Sequence, residues 1–226
     1  YSTGGGFDYA WSPDGKWFTL EFTGNKHDPY SDIGLVSAEG GKDIINLTNS
    51  GYMSGYPHFA LDGNAILFTT ERYGMRAHAS WGSLNDAMLV FLNQDAYDKY
   101  CLSKEDYELR KELEKEQKKS AGKDTPQDKN KDKKKKYDKK DSNADEKDDQ
   151  PKDIVVELKG IEDRVVRLTP NSSDMGSTII SKDGETLYYL AAFEGGYDLW
   201  KMNLRKKETR LLHKMDAGWA DMQLDK

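Results

Sequence analysis

Short runs of alternating apolar and polar residues recur along the chain, and three of them follow an Asp-Gly pair. WSPDGKWFTLEF, residues 11–22, sets a turn directly before such a run. YPHFALDGNAILFTT and GSTIISKDGETLYYLA repeat the arrangement around Asp62-Gly63 and Asp183-Gly184. Alternation enriched in Val, Ile, Tyr, Trp and Phe predicts strands, and an Asp-Gly pair between two of them predicts a tight hairpin. Pro13 pre-sets the backbone at the first corner of the first turn. Each unit is expected to hold four short strands. In the first these are FDYAW, KWFTLEF, IGLVS and DIINLT. YPHFA, AILFTT and AMLVFL open the second, which IVVELKG and RVVRLT complete. STIIS, TLYYLA, DLWKMNL and TRLLH form the third.

The interval from Asp14 to Asp62 is 48 residues and that from Asp62 to Asp183 is 121. A charged insertion of 57 residues, 97–153, accounts for most of the excess and leaves 64. A period of about 40–50 residues with several short strands per unit is the pattern of propeller blades. The expected fold is therefore all-β, a β-propeller segment of about three four-stranded blades. Residues 1–96 hold the first blade and the opening of the second, and residues 154–226 hold the rest. MQLDK, residues 222–226, repeats the pattern of TIISK at 178–182, so the chain reads as cut within the first hairpin of a fourth blade.

Composition changes the picture only once the insertion is set apart. The insertion carries 18 Lys/Arg against 17 Asp/Glu; the other 169 residues carry 16 against 23, a net charge of −7, and nearly all the aromatic residues. An acidic globular part argues against nucleic acid or an anionic membrane as partner. No apolar run approaches the roughly 18 residues of a transmembrane helix. Within the insertion, LSKEDYELRKELEKEQKK predicts a solvated helix, with Ser103 and Asp106 as a capping box. The lysine block at 131–140 and the acidic block at 141–149 that follow predict a self-neutralising, disordered spacer.

Catalytic and ligand motifs are sparse. GYMSG at 51–55 places its serine one position late for a nucleophile elbow, and STGGG lacks the Lys-Ser/Thr of a phosphate loop. His27, His58, His78 and His213 have no metal-ligand spacing, and Cys101 stands alone. His58 falls on a first strand, where packing or channel lining is expected. NLT at Asn46 is read as a chance sequon. No catalytic residue, metal or other cofactor is expected on this chain. The candidate surface lies in the loops between second and third strands, TGNKHDPYSD, ERYGMRAHASWGSLND and FEGGYD. These carry Arg72, Tyr73, Arg76, His78, Trp81, Phe193 and Tyr197, with His27 and Tyr30, and Arg/Tyr/Trp-rich rims suit peptide binding. The alternative for these residues is packing against neighbouring loops.

SPDGKWFTLEF resembles the TolB-type repeat, which is shared by TolB, prolyl-oligopeptidase-like propellers and tricorn-type proteases. VFLNQDAYDKY before a charged insertion, then VVELKGIEDRVVRLT, is similar to the tricorn-like peptidase family, in particular bacterial members of the Bacteroidota type. Asp95-Ala96 and residues 160–164, GIEDR, carry that match. ERYGMRAHASWGSLND and AAFEGGYDLWKMNL also look like these members. The departures are Leu61 and Lys182 for the turn proline and Ala60 for its serine. The resemblance implies a propeller ahead of a PDZ-like domain and a tail-specific (S41) serine peptidase domain, whose catalytic serine and histidine lie downstream of the propeller. It also implies export to the periplasm and a peptide or unfolded-protein substrate that the propeller gates or channels; assembly as a homo-oligomer is a further expectation. The competing reading is a non-enzymatic TolB-like module that binds a protein partner, and a third is a prolyl-oligopeptidase-type propeller.

Overall fold

The structure is a computed structural model that describes residues 8–24, 30–41, 43–76, 82–121 and 153–223. The chain divides into two compact units, one of residues 1–101 with 151–226 and the other of residues 102–150.

The first unit contains three four-stranded antiparallel sheets, each built from consecutive strands. The first comprises β1 (Tyr9–Trp11), β2 (Trp17–Phe22), β3 (Asp32–Ser37) and β4 (Ile45–Asn46). The second comprises β5 (Ser54–Ala60), β6 (Ala65–Thr70), β7 (Asp86–Phe91) and β8 (Val165–Arg167). The third comprises β9 (Asp174–Ile180), β10 (Thr186–Ala192), β11 (Tyr197–Asn203) and β12 (Glu208–Ala217). The expected blade architecture is present, and Asp14, Asp62 and Asp183 all sit in turns between first and second strands.

Why β6 and β7 read as nearly unbroken apolar runs follows from the stacking. Both faces of the second sheet are covered. Leu67, Leu89 and Phe91 pack toward the third sheet against Leu187 and Tyr189. Their sequence neighbours Ile66, Phe68, Met88 and Val90 pack toward the first, against Ile33 and Leu35. Side chains alternate faces along a strand, so a central blade needs apolar residues at every position. Tyr189 is among the largest fully buried side chains, and burial pushes its hydroxyl up to about 12.

The Asp-Gly turns are of two kinds. In the first, the Ser12 hydroxyl donates to Asp14 (2.5 Å) and accepts from the Trp17 amide (2.9 Å). Ser181, Asp183 and Thr186 repeat this at 2.6 and 3.0 Å. Ala60 removes that hydroxyl from the middle turn, which takes another conformation. Leu61 and Asp62 there have φ of 54° and 55°, and the Asn64 side-chain Nδ2 donates to the Leu61 carbonyl at 2.8 Å. Loss of serine thus changes the turn's geometry as well as its stiffness. Gly63 (φ 85°) suits the left-handed backbone there, and a Cβ in its place would force the Ile154 side chain to shift.

Three segments of the first unit depart from the strand pattern. Helix α1 (Gln94–Cys101) follows β7; Asn93 caps it by accepting from the Ala96 amide (2.9 Å), and Tyr97 and Tyr100 stack on Phe91 with ring centroids 5.7 and 5.1 Å apart. IVVELKG forms no strand. It runs as a strap past the Asp14 turn, where the Ile154 amide donates to Asp14 (2.9 Å), and the Glu157 amide then donates to the Leu92 carbonyl (2.7 Å). A single-turn 3-10 helix, Ile161–Arg164, leads into β8. Arg164 is 3% exposed, and its guanidinium donates to the carbonyls of Phe91, Lys159 and Glu157. Those contacts, with Gly160 at φ 71°, are the physical content of the GIEDR motif.

In the second unit, α2 (Lys104–Ala121) begins at the expected capping box: the Asp106 amide donates to the Ser103 hydroxyl (3.1 Å) and that hydroxyl donates to the Asp106 carboxylate (2.8 Å). The lysine and acidic blocks at 131–149 lie outside the described residues.

Candidate functional site

In an antiparallel four-stranded blade, the loop between second and third strands shares one end with the link to the next blade. The first strands β1, β5 and β9 start at that end, and there a groove of about 600 Å3 opens between them. Tyr9 contributes from β1 with Asp8 just before it, Tyr56 and His58 from β5, and Met175 to Thr178 from β9. Tyr197 reaches it from the start of β11, and residues 219–221 close one side.

Irregular pairing shapes this wall. The register of β5 on β6 shifts between Gly55 and His58, and that of β9 on β10 between Met175 and Thr178. Such bulges re-aim side chains. The bulge in β5 holds Tyr56 at φ 54°, a left-handed conformation that costs a bulky residue about 1–3 kcal/mol. Tyr56 nevertheless stays 66% exposed, so burial of its own ring does not explain the strain.

Behind the wall lie groups with displaced ionisation. Burial lowers the His58 pKa below 6.5, against the opposing effect of the Tyr56 and Thr178 backbone. Its Nδ1 lies 3.2 Å from the Tyr56 carbonyl oxygen. His58 is therefore a packed, wall-forming ring, as its first-strand position predicts. Burial raises the carboxyl of Glu21, opposed by the Ser31 hydroxyl and reinforced by Asp8. The Tyr197 hydroxyl is raised by burial first and then by Asp174, to which it donates at 3.0 Å.

The loop residues singled out from sequence separate into groups. Tyr197 borders the groove. Arg72 and Arg167 both lie over the Tyr73 ring, at 5.5 and 4.9 Å, and Arg76 lies over Tyr52 at 5.9 Å. Phe193 packs edge-on against Trp200 at 5.1 Å. The groove therefore brings Tyr197 together with Tyr9, Tyr56 and Trp219, and Arg72, Tyr73, Arg76 and Phe193 are not among its lining residues. His27, His78 and Trp81 lie outside the described residues. Sequence reasoning missed Tyr9, Tyr56 and Trp219 because it looked to loops. The available signal was an aromatic residue, Tyr9 or Tyr56, near the start of the first two first-strand segments; the third, DMGSTII, has none.

Each third strand also carries a buried or bonded aspartate near its start. Asp32 accepts from Asn46 (2.8 Å) and Thr48 (2.8 Å) and from the Ser50 amide (3.2 Å). Asp86, fully buried, accepts from Arg167 (2.9 Å), Thr169 (2.8 Å) and Ser172 (2.7 Å). Asp198 accepts from the Met215 and Asp216 amides (2.7 and 2.9 Å), which hold its carboxyl below the usual range. These carboxylates fasten the end of each fourth strand, or the link after it, to its own blade. They thereby hold the rim from which the groove opens. Among the described residues, no three His, Cys, Asp or Glu side chains are grouped to hold a metal ion, and no helix is long and apolar enough to cross a membrane.

No family model and no curated protein matches this chain. Solved structures do. The tricorn protease superposes with a TM-score of 0.52 at 10% identity, over 91% of this chain and 18% of that one. TolB from Acinetobacter baumannii gives 0.46 at 14% identity, over 91% of this chain and 31% of that one. A putative TolB from Agrobacterium tumefaciens gives 0.47 at 14% identity, over 93% and 50%. The chain thus spans half or less of the length of these structures. At 10% identity the likeness to the tricorn protease is one of fold. Together with three four-stranded sheets stacked face to face and not closed into a ring, it makes this chain a segment of a β-propeller.

Proposed function

We propose that this chain is the propeller segment of an exported, tricorn-like serine peptidase and holds peptide substrate for a catalytic domain outside it. The observation that carries this reading is the groove between β1, β5 and β9. It opens at the first strands, offers exposed aromatic rings, and has a wall whose neighbouring links are anchored by aspartates. A surface of that kind orients an extended chain and contributes proximity without covalent chemistry. Acyl transfer needs a nucleophile, a base within hydrogen-bond reach and oxyanion donors, and the resemblance assigns these to an S41-type domain downstream of a PDZ-like domain.

The test compares residues 1–226 with the complete protein on the same fluorogenic peptides, measuring both binding and turnover. The expected result is that both bind and only the complete protein cleaves. Binding by both with turnover by neither would favour the non-enzymatic binding module. Turnover by residues 1–226 that survives further purification would refute the assignment of chemistry to another domain.

A further inference from the structure

We infer that the groove selects a lysine or arginine side chain from an extended peptide. This rests on the peptide-holding reading above and names the residue type that the groove takes. Charge is the first argument. Asp8 and Asp221 border the groove, and none of its described lining residues is Lys or Arg. The hydrogen bond from Tyr197 places a third carboxylate, that of Asp174, beside the rim. Burial disfavours a positive charge on His58, so the wall supplies no counter-charge of its own. The negative field is felt by neighbouring groups: after burial, Asp8 adds to the rise in the Glu21 pKa, and Asp174 adds to that of Tyr197.

The rings are the second argument. Tyr9, Tyr56 and Trp219 are 60%, 66% and 81% exposed at the groove. Aromatic faces attract cations and also cover apolar stems. A purely aromatic surface would serve an apolar side chain as well, and a purely acidic one would serve any cation. Lysine and arginine satisfy both, with the methylene stem along the rings and the charged head at the carboxylates. A compact inorganic cation would gain nothing from the stem-covering surface. Tyr56 supplies the third argument. Its left-handed backbone holds an exposed ring at the groove, where it contributes no buried packing that would offset the strain.

The experiment uses labelled pentapeptides Ala-Ala-X-Ala-Ala, blocked at both ends, with X as lysine, arginine, norleucine or glutamate. Each is titrated into the protein by fluorescence anisotropy at physiological and raised salt. Lysine and arginine peptides are expected to bind about tenfold more tightly than norleucine, with glutamate weakest and the gap narrowing as salt screens it. The Asp8→Asn/Asp221→Asn double variant should abolish the lysine advantage over norleucine, and Tyr56→Leu should reduce it. Circular dichroism on each variant separates loss of selectivity from loss of fold. Equal affinity for lysine and norleucine peptides overturns this inference and leaves the peptide-holding reading standing. Binding of no peptide of any composition overturns both.

Discussion

The Asp86 carboxylate and the Thr169 hydroxyl, 83 residues apart in the chain, meet at 2.8 Å in a fully buried site. Thr169 uses the same oxygen to accept from the Ala87 amide at 3.2 Å, so one hydroxyl fastens both the start of β7 and the exit of β8. The charged insertion leaves and re-enters the chain between these two residues. Closure of the second blade therefore depends on a contact that spans the insertion. Asp32 and Thr48 make the equivalent contact in the first blade at 2.8 Å across only 16 residues.

Replacing Asp86 by Ala should be the most damaging of the three aspartate substitutions. It leaves the half-buried Arg167 guanidinium and two hydroxyls without their acceptor, and removing one member of such a buried pair costs about 3 kcal/mol. Asp198→Ala loses only two exposed amide contacts and should cost less. Urea midpoints of the three aspartate-to-alanine variants, at Asp32, Asp86 and Asp198, at neutral pH check the order.

The two turn conformations predict opposite responses to proline. Lys182 occupies the position of Pro13 in a turn with the same serine-aspartate bonds, and among the described residues its amide donates to no backbone carbonyl. Lys182→Pro should stabilise by about 0.4–1 kcal/mol. Leu61, at φ 54°, cannot be replaced in place because proline fixes φ near −65°. Leu61→Pro should destabilise, by more than Lys182→Pro stabilises. Thermal midpoints of the pair test this.

Arg164→Met should release the strap. Three carbonyls then lose their buried donor, for an expected loss of about 2 kcal/mol or more. Hydrogen exchange should accelerate first at the Ile154 and Glu157 amides, whose bonds hold the strap down. Uniform acceleration over all three blades would contradict a local role.

His58 gives stability a defined pH dependence. Its pKa is lower folded than the ordinary 6.5, so below 6.5 the unfolded chain binds the proton more readily. The contribution is complete above about pH 6.5 and is lost as pH falls toward the folded value. Glu21, raised above 4.5, acts in the opposite sense, favouring the folded state as pH falls. Comparing His58→Gln with the parent chain isolates the histidine: the slope of stability between pH 6.5 and 5 should diminish in the variant.

Local chemistry alone specified the repeat. Period-two runs, Asp-Gly turns and the Ser103 capping box depend on residues within a few positions of one another, and strands, turns and α2 appear where those signals stand. IVVELKG shows the limit of such reading. Its composition suits a strand, but β7 already pairs with β8, and the strap's amides find Asp14 and Leu92 instead. Helix α1 was missed because its support is tertiary, from Phe91 beneath it and from Arg205, which donates to the Lys99 and Tyr100 carbonyls at its end. The groove was hidden for a similar reason. Tyr9, Tyr56 and Tyr197 come from three different strands and meet only when blades stack, whereas Arg72, Tyr73 and Arg76, close in sequence, spend their charges and rings on one another, Arg167 and Tyr52. Sequence determined the secondary elements and their order, because those depend on neighbours along the chain. Only tertiary structure decided which carboxylates are buried anchors and which face the groove, because burial and field depend on neighbours in space.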